Sequence, residues 1–139
     1  MEQERSVVSS AAPSAVWSIW SDPEQWPEWN PFVTSMKLEG PFVVGTGATM
    51  VTKRGSHHVI VTELLPGTGF ALEGPMMPGI SMIFRCRIAP LAEGGSRISQ
   101  GVSMRGPLAA LFFPMMGKPM ADTFVPILEA LAAKAEGRA

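Results

Sequence analysis

The chain has 139 residues, of which 46% are hydrophobic and 17% charged, and these values favour a single folded domain over residues 1–139 rather than a disordered chain. Eleven basic and twelve acidic residues give a net charge of −1, so the chain lacks the basic excess typical of nucleic-acid-binding proteins. A single cysteine, Cys86, excludes an internal disulfide and a multi-cysteine metal site.

The first thirty residues predict a strand followed by two short helices. In Gln3–Ser9 the apolar pair Val7-Val8 lies between polar residues, a pattern typical of a short strand. A helix then begins at Pro13, because proline is tolerated in the first turn. Asp22 and Pro23 begin a second helix, which Pro27 ends almost at once because the residue before a proline avoids the α region.

Six further strands are predicted between Pro31 and Arg105, each bounded by glycine or proline. They are Phe32–Leu38, Gly45–Lys53, Ser56–Leu65, Phe70–Glu73, Ile80–Ile88 and Arg97–Met104. The breaks between them are short, which favours an antiparallel meander.

Two of these strands show which side chains share a face. The even positions of 80–88 are apolar, whereas Arg85 and Arg87 lie on the opposite face. In the 97–104 strand the amide of Gln100 shares the apolar face, where a buried amide needs a partner from the protein, a water or a ligand. The Ser56–Leu65 strand fits either parity, so the facing of Glu63 stays open.

The segment Leu108–Lys134 is rich in Ala, Leu and Met and predicts helix. Three prolines interrupt it, Pro114, Pro119 and Pro126. A proline in mid-helix costs about 3 kcal/mol, so we expect a separate short helix or a flap at Leu108–Met116. A second helix would begin at Asp122 or Thr123, with Pro126 in its first turn. The interruptions also argue against a membrane span.

The sequence Ala12–Trp17 followed by Ser21–Phe32, which contains Trp-Pro-Glu-Trp-Asn-Pro, resembles the opening of the START-like (SRPBCC) superfamily. The resemblance extends through Gly45-Thr46-Gly47 and Val61–Pro66. This superfamily also includes the Bet v 1-like proteins, and within it the chain most resembles the bacterial polyketide cyclase/dehydrase group. It implies an α+β helix-grip fold. In that fold a curved antiparallel sheet of six or seven strands surrounds a C-terminal helix, and two short helices follow strand 1.

The resemblance also implies a cavity between sheet and helix that holds an apolar or amphipathic molecule. Methionine suits such a surface because it is unbranched and polarizable, and the chain has ten. We expect the cavity to be lined by Trp29, Met50, Phe70, Met82, Phe84, Gln100, Met104, Met116, Met120 and Phe124. The tryptophans, Trp26 and Trp29 included, alternatively pin the helices to the sheet, and the methionines alternatively fill an ordinary core.

Candidate catalytic groups are few. His57 and His58 are adjacent, so in a regular strand they point to opposite faces and cannot bind one metal together. We therefore expect no metal and no cofactor. One of these histidines, or Glu63, is a candidate acid or base. No nucleophile–base–orienter set and no nucleotide-binding motif is present in the sequence.

Together these observations predict a protein that binds a small hydrophobic or aromatic molecule, lipid-like or polyketide-like. The alternative is an enzyme of the cyclase, aromatase or dehydratase type that acts in the same cavity, and a third is a module that binds a partner protein through its apolar C-terminal segment. We expect neither nucleic acid nor an integral membrane segment. The residues Met1–Arg5 carry no apolar signal-like segment, which favours the cytoplasm. Monomer and homodimer both remain open.

Overall fold

The computed structural model describes residues 2–137, whose seven strands form one curved antiparallel sheet in the order β1-β7-β6-β5-β4-β3-β2. The strands are β1 (Glu2–Ser9), β2 (Val33–Leu38), β3 (Gly47–Thr52), β4 (Gly55–Leu65), β5 (Gly69–Met77), β6 (Ile80–Pro90) and β7 (Ser96–Arg105). Strands β2 to β7 pair in sequence order, which confirms the predicted meander, and β1 extends the sheet by pairing with β7.

Two short helices connect β1 to β2, as predicted. They are α1 (Pro13–Trp20), with Pro13 in its first turn, and a 3₁₀ helix (Pro23–Glu28), which includes Pro27 and so is not ended by it as the sequence predicts. The indole N–H of Trp26 donates a hydrogen bond to the carbonyl oxygen of Trp20 at 3.0 Å. This bond links the two helices and gives a partner to a buried N–H that would otherwise have none.

The C-terminal region forms a bent pair of helices, α2 (Ala109–Asp122) and α3 (Phe124–Ala135). The prediction of a separate helix ending at Met116 is wrong, because α2 continues through Pro114 and Pro119. Both prolines are exposed, and so are Ala110 and Met115, the residues four positions earlier whose carbonyls lose their helical partners. The break comes instead at Thr123, and Pro126 lies in the first turn of α3, as predicted.

A β-bulge in β4 explains why its sequence fits either parity. The pairing register shifts between Val61 and Glu63. Before the bulge, His57 pairs with the inward-facing Met50 and therefore shares its face. After the bulge, Glu63 faces outward and Leu64, paired with Phe70, faces inward. No single alternation therefore describes the whole strand.

The hydrophobic core lies between one face of the sheet, called here the inner face, and the helices. Leu128 and Leu131 of α3 are fully buried, as are Val16 of α1 and Ile98 of β7. Helix α3 packs against β1 and α1, and α2 packs against β7. This is the helix-grip arrangement that the sequence resemblance implies. Among the helices of residues 2–137, none combines the length and apolarity needed to cross a membrane.

Candidate functional site

A cavity of about 330 Å³ lies between the inner face of the sheet and the start of α3. This volume is at the lower end of the range of roughly 300–1,000 Å³ that is typical of small-molecule sites. Most of its wall is apolar, formed by Trp20, Trp26, Phe32, Val33, Met50, Phe70, Leu72, Phe84, Cys86, Phe124 and Ile127. The polar remainder is Asn30, Thr52, Lys53, Arg54, Gln100 and Thr123.

Phe70 is the centre of the aromatic part of the wall. It is fully buried on β5, and its ring centroid lies 5.5 Å from that of Trp20, edge-on, and 5.9 Å from that of Trp26, stacked. On another part of the wall, Phe84 of β6 meets Phe124 of α3 edge-on at 6.0 Å. These ring contacts fix large flat surfaces against which an apolar molecule packs with little loss of side-chain freedom.

Two amide side chains face the cavity with hydrogen-bonding capacity to spare. The side chain of Gln100 makes no hydrogen bond within residues 2–137, although its strand partner is the buried Cys86. The Oδ1 of Asn30 accepts a hydrogen bond from the backbone N–H of Phe32 at 2.9 Å, while its side-chain N–H groups find no partner in the same residues. Both amides therefore have hydrogen-bonding groups left to offer a bound molecule.

Cys86 contributes an inert thiol to this wall. Burial raises the pKa of the Cys86 thiol far above its ordinary value, and the nearby charge of Arg87 offsets this only slightly. The thiolate is the nucleophilic form of cysteine, so the neutral Cys86 acts as a small apolar group.

The cavity reaches solvent at Phe32, Lys53 and Arg54, the lining residues that are also exposed, and these three define its mouth. Lys53 and Arg54 occupy the turn of the β3–β4 hairpin. Neither forms an ion pair with any described residue, and none of the residues lining the cavity is acidic. The mouth therefore carries two uncompensated positive charges.

The three candidate acids and bases lie in different places. His57 is on the inner face with its Nε2 3.3 Å from Thr52 Oγ1, so it reaches the cavity only through that hydroxyl. His58 points outward, is exposed, and its Nε2 lies 3.1 Å from Oε1 of Glu39. Glu63 is on the outer face in an ion pair with Arg87. The fold does not bring the three together.

The sequence matches the family model described as "Polyketide cyclase / dehydrase and lipid transport" over residues 2–136. The chain belongs to this family. None of the curated proteins matches the sequence closely enough to count as a relative.

Solved structures share the fold of this family member at low sequence identity. A START superfamily protein from Mycobacterium smegmatis superposes with a TM-score of 0.74 at 17% identity, covering 99% of both chains. Norcoclaurine synthase from Thalictrum flavum, in complex with dopamine and hydroxybenzaldehyde, gives 0.77 at 11% identity, covering 100% of this chain and 88% of its own. The di-domain ARO/CYC protein StfQ from the steffimycin biosynthetic pathway gives 0.76 at 17% identity, covering 99% of this chain and 51% of its own. They show a shared Bet v 1-like fold.

In this member of the polyketide cyclase/dehydrase family, five of the ten residues expected to line the cavity do so. They are Met50, Phe70, Phe84, Gln100 and Phe124. All but Phe124 belong to strands whose inner-facing side chains point at the cavity, and Phe124 opens α3.

The other five lie elsewhere. Met82 and Met104 face each other across β6 and β7 on the inner face, in the region where α2 packs, and belong to the core. Met120 packs against the same core, and Met116 is half-buried on α2. Trp29 is buried in the core, and its indole N–H has no hydrogen-bond partner within residues 2–137.

Several cavity residues are missing from the sequence prediction. Asn30 follows Trp29 directly, and Thr52, Lys53 and Arg54 are placed by the hairpin turn between two strands. The Arg54-Gly55 break signals that turn in the sequence, but not that it meets the cavity. No group of three or more His, Cys, Asp or Glu side chains within residues 2–137 is arranged to hold a metal ion.

Proposed function

We propose that this protein binds a small apolar molecule, lipid-like or polyketide-like, in the cavity between its sheet and α3. The observation that supports this most strongly is an apolar wall in which the amide of Gln100 is left without a partner. The family to which the chain belongs, described by cyclase/dehydrase activity and lipid transport, supports the same class of ligand.

The energetics of such binding are favourable. A ligand that buries roughly 200 Å² of apolar surface gains about 5 kcal/mol at about 25 cal/mol per Å². Part of this gain is offset by the lost freedom of the ligand, so a preformed and rigid wall matters. The rings around Phe70 provide such a wall, while Gln100 and Asn30 orient a carbonyl or hydroxyl group of the ligand.

Binding is tested with the uncharged fluorescent probe N-phenylnaphthylamine and by native mass spectrometry of the purified protein. We expect stoichiometric probe binding. Substituting Cys86→Phe puts a ring into the cavity and weakens probe binding at least about tenfold, since the ring takes space that the probe needs. Cys86→Ala is the matched control, because it removes only the thiol and leaves the cavity open.

The alternative results are informative. If Cys86→Phe folds, as judged by circular dichroism and Tm, and still binds the probe like the unchanged protein, the cavity is not the binding site. Failure of the unchanged protein to bind the probe or to retain any apolar molecule contradicts the proposal as a whole.

A catalytic role of the cyclase, aromatase or dehydratase type is a second candidate. It is favoured by the hydrogen bond between His57 and Thr52, which puts a titratable ring one hydroxyl away from the cavity. Imidazole titrates near neutral pH and suits proton transfer to or from a carbonyl compound. On this hypothesis His57→Gln abolishes turnover of a bound substrate without weakening its binding, whereas a carrier protein shows no turnover to lose.

We further propose a cytoplasmic location, which the unpaired, buried thiol of Cys86 supports because secreted proteins tend to form disulfides. Monomer and homodimer are distinguished by the native mass measured in the same experiment.

A further inference from the structure

We infer that the ligand of this cavity carries an anionic group, which binds at the mouth between Lys53 and Arg54. This inference rests on the proposed function, because it specifies the chemistry of the same ligand. It is carried by the distribution of positive charge over the molecule and by the geometry of the β3–β4 hairpin.

Positive charges elsewhere in the protein are mostly paired. Of the eleven Lys and Arg residues, all but Arg138 are within the described part of the chain. Six of these form ion pairs with carboxylates, namely Arg5, Arg85, Arg87, Arg105, Lys118 and Lys134. Four form none within residues 2–137, namely Lys37, Lys53, Arg54 and Arg97. Two of those four are adjacent in sequence and line the cavity.

The hairpin turn fixes the backbone of Lys53 and Arg54. Thr52 and Gly55 pair across the end of the hairpin, so Lys53 and Arg54 are its two central residues. Gly55 has a φ of 120°, a conformation that side chains disfavour, and the N–H of Arg54 donates to Thr52 Oγ1 at 3.2 Å. The backbone of the turn is therefore well defined, and it sets the two cationic residues side by side at the cavity.

The surroundings of the two cations favour an anion. Adjacent like charges repel each other, and the cavity wall supplies no carboxylate to compensate them. An anionic group on a ligand relieves this repulsion and gains charge-assisted hydrogen bonds, among the stronger kinds available at such a site. The planar guanidinium of Arg54 matches a carboxylate in two-point geometry.

The volume and the apolar wall of the cavity determine the size and polarity of the rest of the ligand. A volume of about 330 Å³ is at the lower end of the range of roughly 300–1,000 Å³ that is typical of small-molecule sites. It suits a small apolar body packed on rings such as Phe70 and Phe84. We therefore assign the ligand to the class of small apolar acids, aliphatic or aromatic.

The test compares two probes that differ only in one anionic group. Anilinonaphthalenesulfonate carries one sulfonate, and N-phenylnaphthylamine is the same molecule without it. The variant Lys53→Gln with Arg54→Gln removes both charges at the mouth. The matched control, Lys37→Gln with Arg97→Gln, removes two exposed, unpaired charges that do not line the cavity.

We expect the mouth variant to bind the charged probe roughly tenfold more weakly than the unchanged protein, with less than a twofold change for the uncharged probe. The control variant should bind both probes like the unchanged protein. Decanoate should displace the charged probe at lower concentration than decanol, since the two share a chain and differ in charge.

Other outcomes overturn the inference in distinguishable ways. If the uncharged probe binds and the mouth variant binds the charged probe as tightly as the unchanged protein does, the inference is wrong and the proposed function stands. Equal losses in the mouth and control variants mean that net charge alone attracts the anion, which also contradicts it. If neither probe binds the unchanged protein, the proposed function fails and the inference falls with it.

Discussion

The two faces of the sheet differ in whether their charged and polar side chains have partners within the chain. On the outer face, Arg85 pairs with Glu2 at 3.5 Å and Arg87 pairs with Glu63, so each cation of β6 has a carboxylate from a strand two positions away in the sheet. On the inner face the same strand presents Phe84 and Cys86 to a cavity. These two outer-face cations are paired within the chain, whereas Lys53 and Arg54, which line the cavity, have no carboxylate partner among residues 2–137.

The same contrast appears within one face of one strand. Ser96 and Gln100 both lie on the inner side of β7. The hydroxyl of Ser96 is fully buried and donates to the carbonyl oxygen of Ala11 at 2.7 Å, whereas the Gln100 amide has no partner within residues 2–137. Of these two polar groups on one strand, the one covered by packed protein is therefore paired, and the one at the cavity is not.

The largest expected effect comes from removing the ring at the centre of the inner face. Phe70→Ala deletes a fully buried side chain that touches Trp20, Trp26 and Phe42, with centroid distances of 5.5, 5.9 and 5.3 Å. Such truncations cost about 3–5 kcal/mol, and here part of the loss is a larger cavity. Urea unfolding of the variant and the unchanged protein measures the difference.

The matched substitution on the outer face is Arg87→Gln, which breaks a partly exposed ion pair with Glu63. We expect it to cost less than about 1 kcal/mol and to lose its effect at high salt. If Arg87→Gln costs as much as Phe70→Ala, stability does not reside mainly on the inner face and the contrast between the faces fails.

A smaller effect, of opposite sign, is expected at Gln100. Gln100→Leu removes an amide that has no protein partner, so the free energy of unfolding should stay unchanged or rise by up to about 1 kcal/mol. Ser96→Ala, on the same strand and face, removes a hydroxyl that has a partner and should lower it by about 1 kcal/mol. Thermal or urea unfolding compares the two variants.

A clear loss of stability in Gln100→Leu would mean that the amide is satisfied in the folded protein, and would contradict its availability to a ligand. Retained stability together with weaker binding of a carbonyl-bearing ligand would strengthen the assignment of Gln100 as an orienting group.

Much of the fold follows from local sequence patterns. The alternation over 80–88 is a property of consecutive residues, so it correctly puts Phe84 and Cys86 on one face and Arg85 and Arg87 on the other. Prolines are harder to interpret, because their cost depends on whether the freed carbonyls meet water. Pro119 lies inside α2 on its exposed side, a fact that only the packed structure reveals.

The candidate site is less predictable for a related reason. Strand parity identifies the face of a side chain but not what covers that face. Met82 and Phe84 share a face of β6, yet Met82 is in the core and Phe84 borders the cavity. The cations of the mouth are harder still, because Lys53 and Arg54 meet the cavity only once the fold brings the hairpin, Asn30 and the start of α3 around one space.

The smallest expected effect on stability concerns Arg5, a cation on the inner side of β1 that forms an ion pair with Asp122. Arg5 pairs with Gln100 in the sheet and donates two hydrogen bonds to Oδ1 of Asp122, at 3.1 and 2.8 Å, at the end of α2. The hydrogen bonds from Arg5, more than the charge of Lys118, lower the pKa of Asp122 from its ordinary value of 3.8. The ion pair therefore links β1 to the helix bend beside Thr123, a cavity residue.

The lowered pKa fixes the direction of the pH dependence. A carboxyl whose pKa is lower in the folded state contributes stability that is fully present above its unfolded pKa and is lost as the pH falls through its folded pKa. Asp122→Asn should therefore be slightly less stable than the unchanged protein at neutral pH. The difference should shrink as the pH falls below 3.8. Tm measured across this range checks it, and in an Arg5→Gln background most of the pH-dependent difference should vanish. A difference that persists unchanged in that background would mean that Arg5 does not hold the bend, leaving Lys118, 3.6 Å away, as the partner that matters.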